Sequence, residues 1–167
     1  MATRYKSILG GLWLPSASGV FIGAYTEFAT NDIWGNPVVA FPDSATRDPI
    51  DGIFRIPSWF VASPEIVIVW TAIVTIGNVV WDFQYRAIGG NDAESLDQAT
   101  AQEAVTVTDA APAAANNQLV VAIALTAANF AVEDTVEFEF ARDGVDAADT
   151  MAATALLFDL YFRASDV

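Results

Sequence analysis

The side chains able to do chemistry are few in kind. Among 167 residues there is no His and no Cys. Imidazole relays, thiolate nucleophiles, disulfides and His/Cys zinc sites are therefore excluded. Carboxylates, hydroxyls and one lysine, Lys6, remain. Paired carboxylates can cleave glycosidic bonds. With 21 acidic residues, however, acids meet by chance and no pair stands out. No enzymatic activity is expected and no cofactor is called for.

Asp143, Asp146 and Asp149 recur at every third position after a strand bearing Glu137 and Glu139. Two readings stay open. Loop carboxylates of this kind can hold Ca²⁺ through several oxygens, although the spacing is not that of an EF-hand loop. The same residues make solvated turns, in which Asx side chains hydrogen-bond to nearby backbone. Asn91, Asp92, Glu94 and Asp97 form a second cluster with the same two readings.

Candidate binding residues are of two sorts. Trp34 stands among Asn31, Asp32 and Asn36, an aromatic with polar neighbours that would suit a sugar. Trp59 and Trp13 also lie in Pro/Gly-rich stretches, as interface anchors or as plugs at the end of a core. The second sort is the N-terminal segment. Arg4 and Lys6 make a basic tip for an acidic partner. Ile8, Leu12, Trp13 and Leu14 follow in an apolar run that is costly to leave in water.

Seven basic residues against 21 acidic ones give a net charge of −14. Binding to nucleic acid needs phosphate neutralisation, which this balance cannot supply. The charge is uneven. Residues 1–89 carry 5 basic and 7 acidic side chains (5 − 7 = −2), and residues 90–167 carry 2 and 14 (2 − 14 = −12). Hydrophobic residues at 54% and charged ones at 17% describe a folded chain. The apolar stretch Ile66–Trp81 is shorter than a membrane helix requires and is interrupted by Thr71, Thr75, Gly77 and Asn78. Arg4, Lys6, Ile8–Leu14 and Ser16-Ala17-Ser18 follow the rough order of a secretory leader. Two glycines and Pro15 dilute its apolar part, so no leader is expected.

The elements that must position these groups read as strands. Val20–Tyr25, Val38–Phe41, Ile53–Ile56 and Val105–Thr108 are short β-type runs. Glu65–Thr75 and Val79–Ile88 flank an Ile76-Gly77-Asn78 turn signal, which predicts a hairpin. In the second run Val79, Trp81, Phe83, Tyr85 and Ala87 share one face, and Asp82, Gln84 and Arg86 the other. Leu119, Val121, Ile123 and Leu125 alternate likewise. Val136, Phe138 and Phe140 alternate against Glu137 and Glu139. In Ala155–Ala164, Leu156, Phe158, Leu160 and Phe162 alternate against Asp159, Tyr161 and Arg163. About eight short strands without a long helix predict an all-β fold, an antiparallel β-sandwich of jelly-roll type. One domain is expected over residues 20–167, with residues 1–19 as an extended arm outside it.

Glu133-Asp134-Thr135-Val136, Phe138-Glu139-Phe140-Ala141-Arg142-Asp143-Gly144, Asp146-Ala147-Ala148-Asp149-Thr150 and Leu160-Tyr161-Phe162 together resemble the C-terminal half of small jelly-roll virion proteins of tailed bacteriophages. Trp70-Thr71-Ala72 and Val79-Val80-Trp81-Asp82-Phe83 look like their central hairpin. The resemblance spans about residues 65–164 and consists of packing and turn motifs. It implies a non-enzymatic virion component, usually a homotrimer. The first expectation is a capsid decoration (cement) protein on the head surface. It would bind the major capsid protein or another virion protein through the arm and stabilise the shell. The alternative is a receptor- or carbohydrate-binding tail or fibre module. Neither nucleic acid nor membrane is an expected partner.

Overall fold

The computed structural model describes residues 2–8, 12–13, 21–24, 37–90 and 94–166. These form eleven strands: β1 (Thr3–Ser7), β2 (Leu12–Trp13), β3 (Phe21–Ala24), β4 (Pro37–Phe41), β5 (Asp48–Arg55), β6 (Ala62–Thr71), β7 (Asn78–Ile88), β8 (Glu103–Ala110), β9 (Leu119–Ala124), β10 (Thr135–Arg142) and β11 (Ala155–Ser165). One sheet has six strands in the order β3-β4-β11-β6-β9, with β1 also on β11. The other has five, in the order β2-β5-β10-β7-β8. Every strand pairing is antiparallel. The fold is an antiparallel β-sandwich, as the alternation predicts. Among the described residues no helix is long and apolar enough to cross a membrane.

The aromatics fill the space between the sheets. β7 sends Val79, Trp81, Phe83, Tyr85 and Ala87 inward, and β10 sends Val136, Phe138 and Phe140. Facing them are Ile66, Ile68 and Trp70 of β6 and Leu157, Leu160 and Phe162 of β11. Trp70 meets Trp81 edge-on at 5.5 Å, and Trp81 stacks on Phe140 at 5.2 Å. Phe83 stacks on Phe138 at 5.3 Å. Such ring pairs add about 0.5–1.5 kcal/mol each beyond area burial. Trp70 Nε1 also donates to Asp109 Oδ2 of β8 at 2.9 Å, tying one sheet to the other.

Three expectations are corrected. First, β6 and β7 do not form a hairpin. β6 pairs with β11 and β9, while β7 pairs with β10 and β8. The turn at Gly77 carries the chain from one sheet to the other. Composition accounts for the parting: β6 is apolar on nearly both faces, whereas β7 has the polar outer face of an exposed sheet. Second, β11 does not alternate strictly. A bulge between Leu157 and Asp159 resets its register on β6. One extra residue moves every later side chain to the other face. Leu157 therefore joins Leu160 and Phe162 in the main core, and Leu156 packs with Val38, Ala40 and Phe158 instead.

Third, the described part of residues 1–19 is no free arm. β1 runs the length of Thr3↔Ser165 to Ser7↔Tyr161 on β11, and β2 pairs with Gly52 and Asp51 of β5. Ile8 is buried at 2% exposure, and its N–H donates to the Leu160 carbonyl at 3.0 Å. The cause is an open edge: β4 pairs with β11 only over Leu157 to Ala155, so the other half of that edge needs a partner. The strands at the amino end also account for a count above the expected eight.

A polar knot closes one end of the sandwich. Glu103 of β8 accepts hydrogen bonds from the Tyr85 hydroxyl, from the Thr126 N–H at 3.1 Å and from its hydroxyl at 2.7 Å. Asn129 Nδ2 donates to Glu103 at 3.3 Å and to the Tyr85 hydroxyl at 3.0 Å. Burial opposes ionisation of Glu103, but these donors outweigh it and hold the carboxyl below its usual range. Burial and the Glu103 carboxylate push the Tyr85 phenol upward. A depressed carboxyl stabilises the fold above its unfolded pKa and loses that contribution as pH falls through the folded one. Glu103→Gln is therefore expected to flatten the acid limb of a stability curve below about pH 4.5. Urea midpoints measured from pH 7 to pH 3 test this; parallel curves for the two proteins would contradict it.

Candidate functional site

The outer face of the five-stranded sheet carries the chemistry. Alternation along β5, β7 and β10 turns Asp51 and Ile53, Gln84 and Arg86, and Glu137 and Glu139 away from the core. Strand register then sets them in two rows. Gln84, Glu139 and Asp51 are cross-strand partners in one, and Arg86, Glu137 and Ile53 in the next. Together with residues 98–101 they line an open groove of about 430 Å³. That volume falls within the range of small-ligand sites.

The wall formed by residues 98–101 is fastened to the sheet. Arg86 Nη2 donates to the Thr100 carbonyl at 2.8 Å. The Gln102 N–H donates to the Tyr85 carbonyl at 2.8 Å, and the Ala87 N–H to Gln102 Oε1 at 2.9 Å. Beside the groove, Arg47 donates to Asp82 at 2.5 Å and to Glu139 at 2.7 Å. Asp82 also accepts from Gln84 Nε2 at 3.0 Å. Burial and the neighbouring Glu139 raise the Asp51 carboxyl above its ordinary value, against the pull of Arg47. Asp51 Oδ1 and Arg86 Nε are both shielded from solvent and have no hydrogen-bond partner. Such groups normally find one. A floor of carboxylates, a carboxamide and a guanidinium on paired strands can hold a ligand rich in hydroxyls.

The residues that the sequence nominated lie elsewhere. Arg4 pairs with Asp166 at 2.6 Å, and Lys6 Nζ donates to the Arg55 carbonyl at 2.8 Å. Both basic groups of the N-terminal tip are thus engaged within the molecule. Ile8 is core, while Leu12 and Trp13 lie in β2, where Trp13 is the register partner of Asp51. Leu14 and Trp34, with Asn31, Asp32 and Asn36, fall outside the described residues. Trp59 is half-buried against the core, its ring 6.4 Å from Phe162, in the role of a plug.

The three loop aspartates are not brought together. Asp143 Oδ1 accepts from the Val145 N–H at 3.3 Å and Asp146 Oδ1 from the Ala148 N–H at 2.8 Å, as Asx turns do. Asp149 turns inward to Arg142. Among the described residues no three acidic side chains are grouped to hold a metal. The second cluster is only partly described; Ser95 Oγ there accepts from the Asp97 N–H.

Asp51, Gln84, Arg86, Glu137 and Glu139 were not singled out from sequence as a site. The available signal was the polar alternate positions of β7 and β10, which carry charges of both signs.

No protein-family model matches the chain, and no curated protein does. Among solved structures it is similar to a family 35 carbohydrate binding module from Clostridium thermocellum. The TM-score is 0.52 at 9% identity, over 97% of this chain and 98% of that one. It is also similar to part of an isomalto-dextranase from Arthrobacter globiformis T6, in a structure complexed with panose. There the TM-score is 0.56 at 13% identity, over 96% of this chain and 23% of that one. At such identities the likeness is one of fold, an antiparallel β-sandwich.

Proposed function

We propose that the chain is a carbohydrate-binding module whose ligand lies in the groove on the outer face of the five-stranded sheet. The observation that carries this reading is the groove itself, with Asp51, Gln84, Arg86, Glu137 and Glu139 held in fixed register on three paired strands. Sugar hydroxyls both donate and accept, and they are well matched by a floor that mixes carboxylates with amide and guanidinium N–H groups. The fold shared with the Clostridium thermocellum module supports the same reading. The head-decoration expectation placed its contacts in the N-terminal segment, where Thr3–Ser7 and Leu12–Trp13 are instead paired within the two sheets.

Affinity electrophoresis against soluble polysaccharides, followed by titration calorimetry, tests the proposal. Migration should be retarded by at least one polysaccharide without release of sugar. Replacing Gln84 and Arg86 together by Ala should weaken that binding by ten-fold or more, since each removes hydrogen bonds worth about 1 kcal/mol or above. Unchanged affinity in the double variant would place the ligand elsewhere.

A further inference from the structure

We propose that the groove selects sugars bearing a protonated amine, of the glucosamine type, over neutral and anionic sugars. The inference rests on the carbohydrate-binding reading above and concerns the charge that the groove accepts. Its lining holds Asp51, Glu137 and Glu139 against Arg86 (−3 + 1 = −2). Arg47 beside it is matched by its partner Asp82, which leaves the balance unchanged.

Asp51 and Glu139 are direct cross-strand partners on β5 and β10. Like charges placed so are destabilising unless something neutralises them. Arg47 is shared between Asp82 and Glu139, and no described residue forms an ion pair with Asp51, whose side chain lines the groove. The Glu139 side chain is 48% exposed, so its carboxylate is within reach of a ligand. An ammonium is a compact charge with three donors and no acceptor. It can serve Asp51 and Glu139 together, as a neutral hydroxyl cannot do with equal strength. A uronate would meet the reverse situation. The lining cation, Arg86, is already bonded to the Thr100 carbonyl and is the cross-strand partner of Glu137.

The test is calorimetric titration of the full chain at low and at moderate salt. The ligands are glucosamine oligosaccharides, their N-acetylated counterparts, cello-oligosaccharides and oligogalacturonate. The amine-bearing sugars are expected to bind about ten-fold more tightly than the N-acetylated ones, with oligogalacturonate weakest. Asp51→Asn and, independently, Glu139→Gln should each erase most of that margin, with far-UV circular dichroism verifying the fold. Equal affinity for amine and N-acetyl sugars, or preferred binding of oligogalacturonate, would overturn the selectivity and leave the carbohydrate reading standing. So would an amine preference that survives in both variants, because it would then reflect the overall acidity of the chain. Binding of no sugar at all would overturn the underlying reading itself.

Discussion

Replacement of Arg142 by Ala is expected to cost about 3–5 kcal/mol of folding stability, the range for breaking a buried ion pair. The Arg142 and Asp149 side chains are each 1% exposed. The pair is bidentate, with Nε to Oδ2 at 2.9 Å and Nη2 to Oδ1 at 2.6 Å. The remaining guanidinium donors reach the carbonyls of Ala153, at 2.5 Å, and Met151. Asp149 Oδ2 also accepts the Val80 N–H of β7 at 3.0 Å. Truncating the arginine strands a buried carboxylate and two carbonyls at once. For a chain of this length the melting temperature should fall on the order of 10 °C. Asp149→Ala should cost a comparable amount, and the double variant clearly less than the sum of the two, because removing both partners leaves no lone charge. Thermal and urea unfolding of the three variants decide the matter. An Arg142→Ala protein within 1 kcal/mol of the parent would show that the charge is not buried in solution.

Gly77→Ala is the second large effect, at about 2–5 kcal/mol. Gly77 has φ +98°, a region that L side chains rarely occupy. A Cβ there would lie 2.6 Å from Met151 Cα and 2.7 Å from the Thr150 carbonyl oxygen. Both obstacles are backbone. They are pinned in turn, since the Thr150 and Met151 N–H groups both donate to the Asn78 carbonyl at 2.9 Å. Strain of about 1–3 kcal/mol from φ adds to overpacking of similar size. Chemical denaturation measures the sum, and a loss below 1 kcal/mol would mean that the segment around Met151 yields to the methyl group. The positive φ of Asn116, 66°, is milder, as Asn tolerates that region.

Individual strands were legible wherever alternation was undisturbed. β10 ends at Thr135 and Arg142, as its pattern indicates, and β7 buries the face that its aromatics mark. What local periodicity does not encode is which strand lies alongside. Hence the turn at Gly77 was visible, but not the change of sheet that it makes. The bulge in β11 has no sequence mark, because both Leu156 and Leu157 are apolar. β5 begins five residues before the run Ile53–Ile56, since Pro49 reads as a breaker. Its missing N–H is tolerated because β2 reaches only Asp51 and Gly52. The groove failed to emerge for the same reason as the pairing. Gln84 and Arg86 were read as outward, and so were Glu137 and Glu139. Their assembly with Asp51 depends on a register among three strands far apart in the chain.

The β1–β11 ladder also fixes how the molecule answers to force. Thr3 lies opposite Ser165, and Ala2 and Asp166 exchange hydrogen bonds at 3.0 and 3.1 Å. Tension applied between residues 2 and 166 acts across this ladder and opens its bonds one after another, instead of loading them all in shear. Under such a pull β1 peels away first, and the load then passes along the chain to β2, which pairs with Asp51 and Gly52 at the edge of the groove.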